Sequence, residues 1–201
     1  MEKLIIEGGR PLEGTIQTAG SKNAVLPIMA ASVLSREPLH LTGVPQLSDV
    51  NTMLGVLREL GAEGQFDPDG SLSVSCAGDI TGRAGWESVR KMRGSVCVLG
   101  PLLARLGRVE VSLPGGCVFG VRPIDVHLKG LRALGARVEI ERGFIVAEAP
   151  KGGLRGADMY LGSAFGSSVL GTANVLMAAT LARGTTNIQG AACEPEIVDL
   201  A

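Results

Sequence analysis

Apolar positions recur along the chain with two periods, and the changes of period mark its elements. Leu4-Ile5-Ile6 and Gly14-Thr15-Ile16-Gln17-Thr18 read as short strands before any helix begins. Ala24 to Leu34 is apolar almost throughout and reads as a helix, with Ser21 as its cap and Pro27 near the first turn. After a strand at Leu39-His40-Leu41, the residues Val50, Met53, Leu54, Leu57 and Leu60 fall at helical spacing. This second helix is expected to start with Asp49 as cap and to stop at Gly61. Two strands follow, Glu63–Phe66 and Leu72–Ser75, joined by the turn Asp67-Pro68-Asp69-Gly70.

The same order then recurs. A helix over Glu87–Leu106 leads to a strand at Val109–Leu113, a glycine-rich loop, and a helix opened and capped by Asp125 that carries Val126, Leu128, Leu131 and Leu134. Gly135 ends it, and strands near Val138–Glu141 and Phe144–Glu148 close the unit. Leu57-Arg58-Glu59-Leu60-Gly61-Ala62 and Leu131-Arg132-Ala133-Leu134-Gly135-Ala136 superpose at an offset of 74 residues. A third copy starts with helix Ser168–Ala182 and strand Thr185–Gln189, and Asp199 stands where its next helix should open. The chain reads as units of helix, strand, helix and two strands, the third cut short, packed on shared helices with the sheets outside.

Composition narrows the class. The chain is 45% hydrophobic but only 3% aromatic, so its core must be built from aliphatic residues. Its 29 glycines follow no three-residue period, so they mark turns and close approaches and not a collagen-like chain. A net charge of −1 gives no field suited to nucleic acid or an anionic membrane surface, and no apolar run reaches membrane-spanning length. The N-terminus lacks the pattern of a secretory signal, and the four cysteines form no C-x-x-C pair. A cytoplasmic protein with reduced thiols and no structural zinc is expected.

Candidate chemistry concentrates in Pro114-Gly115-Gly116-Cys117-Val118-Phe119-Gly120-Val121-Arg122-Pro123-Ile124-Asp125. Glycines let backbone N–H groups approach an anion, and the following helix start adds partial positive charge there. Arg122 can grip a carboxylate or phosphate through paired hydrogen bonds, and a thiol in such surroundings can serve as acid or nucleophile. The ordinary reading of a cysteine is a small buried hydrophobe, which fits Cys97 well and Cys117 poorly. Lys22 opens a helix against the helix dipole, which calls for an anion at that end. Arg90 and Lys91 read as a solvated face, Arg93 as either that or a phosphate clamp. His40 and His127 have no metal-ligand spacing, so no metal site is visible.

Lys22-Asn23 within Ala19–Ala24, then Arg90-Lys91-Met92-Arg93, then Leu113-Pro114-Gly115-Gly116-Cys117 with Arg122-Pro123-Ile124-Asp125, and finally Glu194-Pro195-Glu196-Ile197-Val198-Asp199 stand in a telling order. In that order they resemble the UDP-N-acetylglucosamine 1-carboxyvinyltransferases, a family of enolpyruvyl transferases. The resemblance implies an inside-out α/β barrel of two similar lobes, each of three units, of which this chain covers roughly the first half. Residues 1–20 would then pack with a C-terminal half, and 21–201 would form a nucleotide and catalytic-loop lobe with units 21–76, 87–149 and 154–201.

The resemblance also implies roles. Cys117 would be the general acid and the fosfomycin target, and Lys22, Asn23, Arg93 and Arg122 would bind phosphoenolpyruvate. Asn23, Arg93, Arg122, Pro123, Ile124, Asp125, Val126, Ser168 and Val169 would line the UDP-sugar. Where the family continues with glycine after the last two, this chain has Leu170. The aspartate base and further arginines would belong to the second half, so this chain alone is expected to turn over slowly or not at all. No cofactor is implied; the implied partners are phosphoenolpyruvate, UDP-N-acetylglucosamine, and either a second copy or a separate C-terminal half. Two alternatives stay open, an enzyme resembling 5-enolpyruvylshikimate-3-phosphate synthase and a non-catalytic lobe that binds a sugar nucleotide.

Overall fold

The computed structural model describes residues 3–115, 124–164 and 166–201. It begins with an exception to the sequence pattern: residues 3–20 form no strand, and Leu4, Ile5, Ile6, Leu12 and Ile16 are all exposed. A strand needs a neighbour to take its backbone hydrogen bonds, and none of the described residues supplies one to this stretch. Regular structure starts at helix α1, Lys22–Ala31, whose cap Ser21 accepts a hydrogen bond from the Ala24 amide at 3.3 Å. Pro27 lies in the second turn, not the first, so the Asn23 carbonyl cannot receive the usual helical bond from residue 27.

After strand β1 (Leu39–Leu41), helix α2 runs over Ser48–Glu59 and buries Val50, Met53, Leu54, Val56 and Leu57. Its N-cap position is Leu47, and Asp49 sits inside the first turn where it makes no cap bond. Strands β2 (Glu63–Phe66) and β3 (Leu72–Ser75) pair antiparallel, and β1 joins the other edge of β3.

The single long helix expected over Glu87–Leu106 is broken into three pieces. A short strand β4 (Arg83–Ala84) and one-turn helix α3 (Trp86–Val89) come first, then a 3-10 segment Arg93–Val98, then α4 (Leu99–Leu106). Pro101 accounts for the break at the second joint, since its ring would clash with the Cys97 carbonyl in a continuous α-helix. At the first joint, Met92 adopts an extended conformation, with φ −148° and ψ 132°. Gly107 takes the left-handed conformation at the end of α4, φ 77°, and turns the chain into β5 (Arg108–Ser112).

Helix α5 covers Asp125–Ala133, and β6 (Arg137–Glu141) and β7 (Phe144–Glu148) complete a four-stranded sheet of order β4-β5-β7-β6. The β4–β5 pair is parallel and the other pairs are antiparallel. A third, two-stranded parallel sheet joins β8 (Asp158–Tyr160) and β9 (Asn187–Gln189) across helix α6 (Val169–Thr180). The last helix, α7, is Pro195–Leu200; it begins four residues before Asp199 because Pro195 is pre-set for the first helical position.

The helices form the middle of the molecule. Helix α6 is apolar nearly all round and packs on α4, α5, α1 and α7. Two glycines make this closeness possible: a Cβ on Gly100 would collide with the Asn174 backbone, and one on Gly130 with the Val175 side chain. The core around them is aliphatic, with Met29, Met53, Leu57, Leu99, Leu102, Leu103, Leu131 and Leu161 fully buried.

Candidate functional site

The proposed site residues occupy starts of elements on shared helices. Lys22 and Asn23 are the first two residues of α1, and both are exposed. Lys22 Nζ lies 2.9 Å from Asp49 Oδ2, so the anion at this helix start is a carboxylate of the chain itself, from the first turn of α2. The anion that Lys22 calls for at that end is thus supplied within the chain. The pair is partly exposed and contributes little to stability.

Arg93 opens the 3-10 segment and is half-buried. That segment packs on α1, with the Leu26 side chain 3.4 Å from where a Gly94 Cβ would stand. Arg90 contributes its carbonyl to the floor of the glycine-rich stretch. A Cβ on Gly115 would strike the Arg90 backbone, so only glycine permits this approach. Arg90 itself pairs with exposed Glu87 at 3.1 Å, as a solvated face should. Cys117, Arg122 and Pro123 lie outside the described residues.

Ile124 is described, as the N-cap position of α5, and has no side chain able to take a helix amide. The first-turn N–H groups of α5 are thus left to other acceptors. Asp125, the first helical residue, is exposed and makes no cap bond, so it starts the helix as expected without capping it. Val126 is buried against the first turn of α6, its Cγ1 2.8 Å from where a Gly171 Cβ would sit. Ser168 caps α6 by accepting from the Gly171 amide at 3.2 Å, and Val169 begins the helix, half-buried. The starts of α5 and α6 are thereby brought together, beside the 3-10 segment that Arg93 opens.

His127 is buried and has its pKa lowered to about 4, first by burial, then by the nearby Arg93 cation, with Asp125 pulling the other way. The ring is neutral at physiological pH. Of the described cysteines, Cys97 is fully buried and its thiol is pushed up to about 12 by burial. Cys76 is also buried and raised, lies 3.6 Å from the Ser32 hydroxyl, and Cys193 is exposed. No cluster of metal-ligating side chains occurs among the described residues. No described helix is long and apolar enough to cross a membrane. A cavity of about 370 Å³ beside Arg36, Asp79 and Arg105, and one of about 460 Å³ between Asn51, Glu59 and Lys91, contain none of the described site residues.

The profile of the family described as EPSP synthase (3-phosphoshikimate 1-carboxyvinyltransferase) matches residues 6–201. Relatives called UDP-N-acetylglucosamine 1-carboxyvinyltransferase are similar over the whole chain. Those from Coxiella burnetii and Akkermansia muciniphila are 52% and 50% identical over 201 residues. The relative from Paracoccus denitrificans is 52% identical over 204 aligned residues. The chain spans only 45% to 47% of the length of these relatives. Among solved structures, the enolpyruvyl transferase NikO from Streptomyces tendae superposes with a TM-score of 0.79 at 19% identity, over 96% of this chain and 44% of that one. An EPSP synthase from Acinetobacter baumannii superposes at 0.70 and 18% identity, over 92% of this chain and 42% of that one. The fold is therefore the α/β lobe of the enolpyruvyl transferases.

Proposed function

Because the chain belongs to the EPSP synthase family over residues 6–201, we propose that it carries the N-terminal lobe of an enolpyruvyl transferase acting on UDP-N-acetylglucosamine in peptidoglycan synthesis. The observation that carries this reading is the 52% identity to relatives of that name across the entire chain. The alternative acceptor, a shikimate phosphate, has weaker support, since the superposable EPSP synthase is only 18% identical.

In the proposed reaction the 3-hydroxyl of the sugar adds to C2 of phosphoenolpyruvate while C3 accepts a proton. A proton then leaves C3 as the C2–O bond to phosphate breaks, and inorganic phosphate departs. Cys117 is the general acid in this scheme, a role that needs a group within bonding reach and near neutral pKa. Lys22, Arg93 and Arg122 stabilise the charge on the carboxylate and the departing phosphate. Asn23 touches both ligands; Pro123, Ile124, Asp125, Val126, Ser168 and Val169 line the UDP-sugar. The apolar N-cap position of α5, Ile124, and the juxtaposition of Val126 with the first turn of α6 support that placement. In this scheme Lys22 exchanges Asp49 for the phosphate when substrate arrives.

The exposed apolar residues between Leu4 and Ile16 support a protein partner as well, either a second copy or a separate C-terminal half. A cytoplasmic setting completes the reading. The span of less than half of the relatives favours a second possibility for this chain alone, a lobe that binds the sugar nucleotide without turnover.

The test measures phosphate release from phosphoenolpyruvate with UDP-N-acetylglucosamine, beside a Cys117→Ala control and a direct titration of the sugar nucleotide. Release lost in the control supports the transferase with Cys117 as acid. Binding without release supports the non-catalytic lobe, and absence of both sinks the assignment for this chain.

A further inference from the structure

The interior of α6 carries one residue out of keeping with its surroundings. Asn174 has no exposed surface, and it stands among Thr172, Ala173, Val175 and Met177 of a mostly apolar helix. A buried amide is costly unless its hydrogen-bonding groups are used, and here they are. Asn174 Oδ1 accepts from the Gly100 backbone N–H at 2.6 Å, and Nδ2 donates to the Val96 carbonyl at 2.8 Å. Nδ2 also lies 2.9 Å from Nδ1 of His127.

These contacts fix one another. The Gly100 N–H can only donate and the Val96 carbonyl can only accept, so the amide cannot be turned over. Its NH2 group must face both Val96 and His127. Nδ1 of His127 is therefore an acceptor, and the proton of the neutral ring sits on Nε2. The burial that lowers the His127 pKa favours this same neutral form.

The backbone groups involved are the pair that a continuous α-helix would join directly, since Gly100 lies four residues after Val96. Gly100 lies in the first turn of α4, where an amide has no helical acceptor, and Val96 lies in the 3-10 segment before it. The Val96 carbonyl already accepts from the Leu99 amide within the 3-10 segment, and the Asn174 side chain adds a second bond to it while taking the Gly100 N–H. Gly100 lacks a Cβ where one would strike the Asn174 backbone, so the two helices come close enough for that bond.

The elements joined are those that bear the proposed ligand contacts. Val96 follows Arg93 by three residues, His127 is the third residue of the helix that Asp125 opens, and Asn174 lies on the helix capped by Ser168. We propose that Asn174, acting through His127 and the Val96–Gly100 backbone, is a positioning residue that holds the segments bearing Arg93, Asp125–Val126 and Ser168–Val169 in register for the sugar nucleotide. The ligand class in this proposal rests on the function proposed above; the register does not.

The test compares Asn174→Leu with Thr172→Val in the full chain. Thr172 is on the same helix and is also buried; its amide bonds the Ser168 carbonyl, but its hydroxyl accepts from the Ala192 amide at 3.0 Å and touches neither Val96 nor His127 in any hydrogen bond. Two readouts are taken, backbone amide resonances and titration with UDP-N-acetylglucosamine. Asn174→Leu is expected to move the resonances of Arg93, Val126 and Val169 together and to weaken the nucleotide by about tenfold or more, as misplacement of binding groups does. Thr172→Val is expected to lower the melting temperature while leaving the Arg93 resonance in place and the affinity within about twofold. Should Asn174→Leu not fold, His127→Leu and His127→Gln replace it. The glutamine, which offers an oxygen to the Asn174 N–H, should recover most of what leucine loses. Equal effects of Asn174→Leu and Thr172→Val, or unmoved resonances in the first, would overturn the proposal. If the unmodified chain binds no sugar nucleotide, the functional reading fails for this chain, and the resonances alone decide the positioning role.

Discussion

His127 shows how one residue's surroundings set a property of the whole fold. Its pKa drops from the ordinary 6.5 to about 4 in the folded chain, chiefly through burial. As pH falls through 6.5 the unfolded chain takes up this proton and the folded chain does not, so protonation favours unfolding. The stability linked to His127 is complete above pH 6.5 and is progressively lost down to about pH 4. Over that window the loss is about 3 kcal/mol at 1.36 kcal/mol per pKa unit. Denaturant unfolding at pH 7 and pH 4.5 is expected to show a larger drop for the unmodified chain than for His127→Gln; parallel drops would remove the basis for this account. Nothing in the sequence near His127 announces it, because the partner amide lies 47 residues away. Lys22 was legible as a cation wanting an anion, but its partner Asp49 was not, since Asp49 reads equally well as a cap for its own helix.

At the scale of elements, sequence periodicity carried most of the fold. Helices α2 and α5 and strands β2, β3 and β7 stand where spacing and stop signals put them, because each buries one face and ends at a glycine or a turn. The failures have two causes, pairing partners distant in sequence and a proline. Strands β4 and β8, two and three residues long, were not anticipated, and each pairs with a parallel partner distant in sequence, whereas β5 and β9, their partners, stand where strands were expected. The strands expected before Ser21 lack any such partner among the described residues and do not form. The helix expected over Glu87–Leu106 has a continuous apolar face, and one proline outweighs that pattern at Pro101. Contact between α4 and α6 depends on Gly100, so Gly100→Ala should destabilise the chain by about 3 kcal/mol, at the upper end of overpacking costs. A chemical melt unchanged within about 0.5 kcal/mol would show that the helices can separate at little cost. The glycine-rich stretch was legible as a place of close approach, and Gly115 against the Arg90 carbonyl is such an approach.

For the molecule as a whole, the notable quantity is apolar surface without cover. Leu4, Ile5, Ile6, Leu12 and Ile16 are between 73% and 98% exposed in one short stretch, far more than the core helices tolerate anywhere. The chain is expected to self-associate at high concentration, and Ile5→Asp with Ile16→Asp to shift it towards monomer in sedimentation velocity. An unmodified chain that stays monomeric would argue that something other than a second copy covers this stretch. The packing of sulfur gives the molecule another property. Cys76 and Cys97 are sealed in the interior and resist ionisation, while Cys193 faces solvent. A water-soluble alkylating reagent therefore leaves the sealed pair unmodified for as long as the core holds, and consumes them only when it opens. The mass of the chain over time then becomes a clock for the opening of its interior, read without any optical probe and in the presence of any ligand.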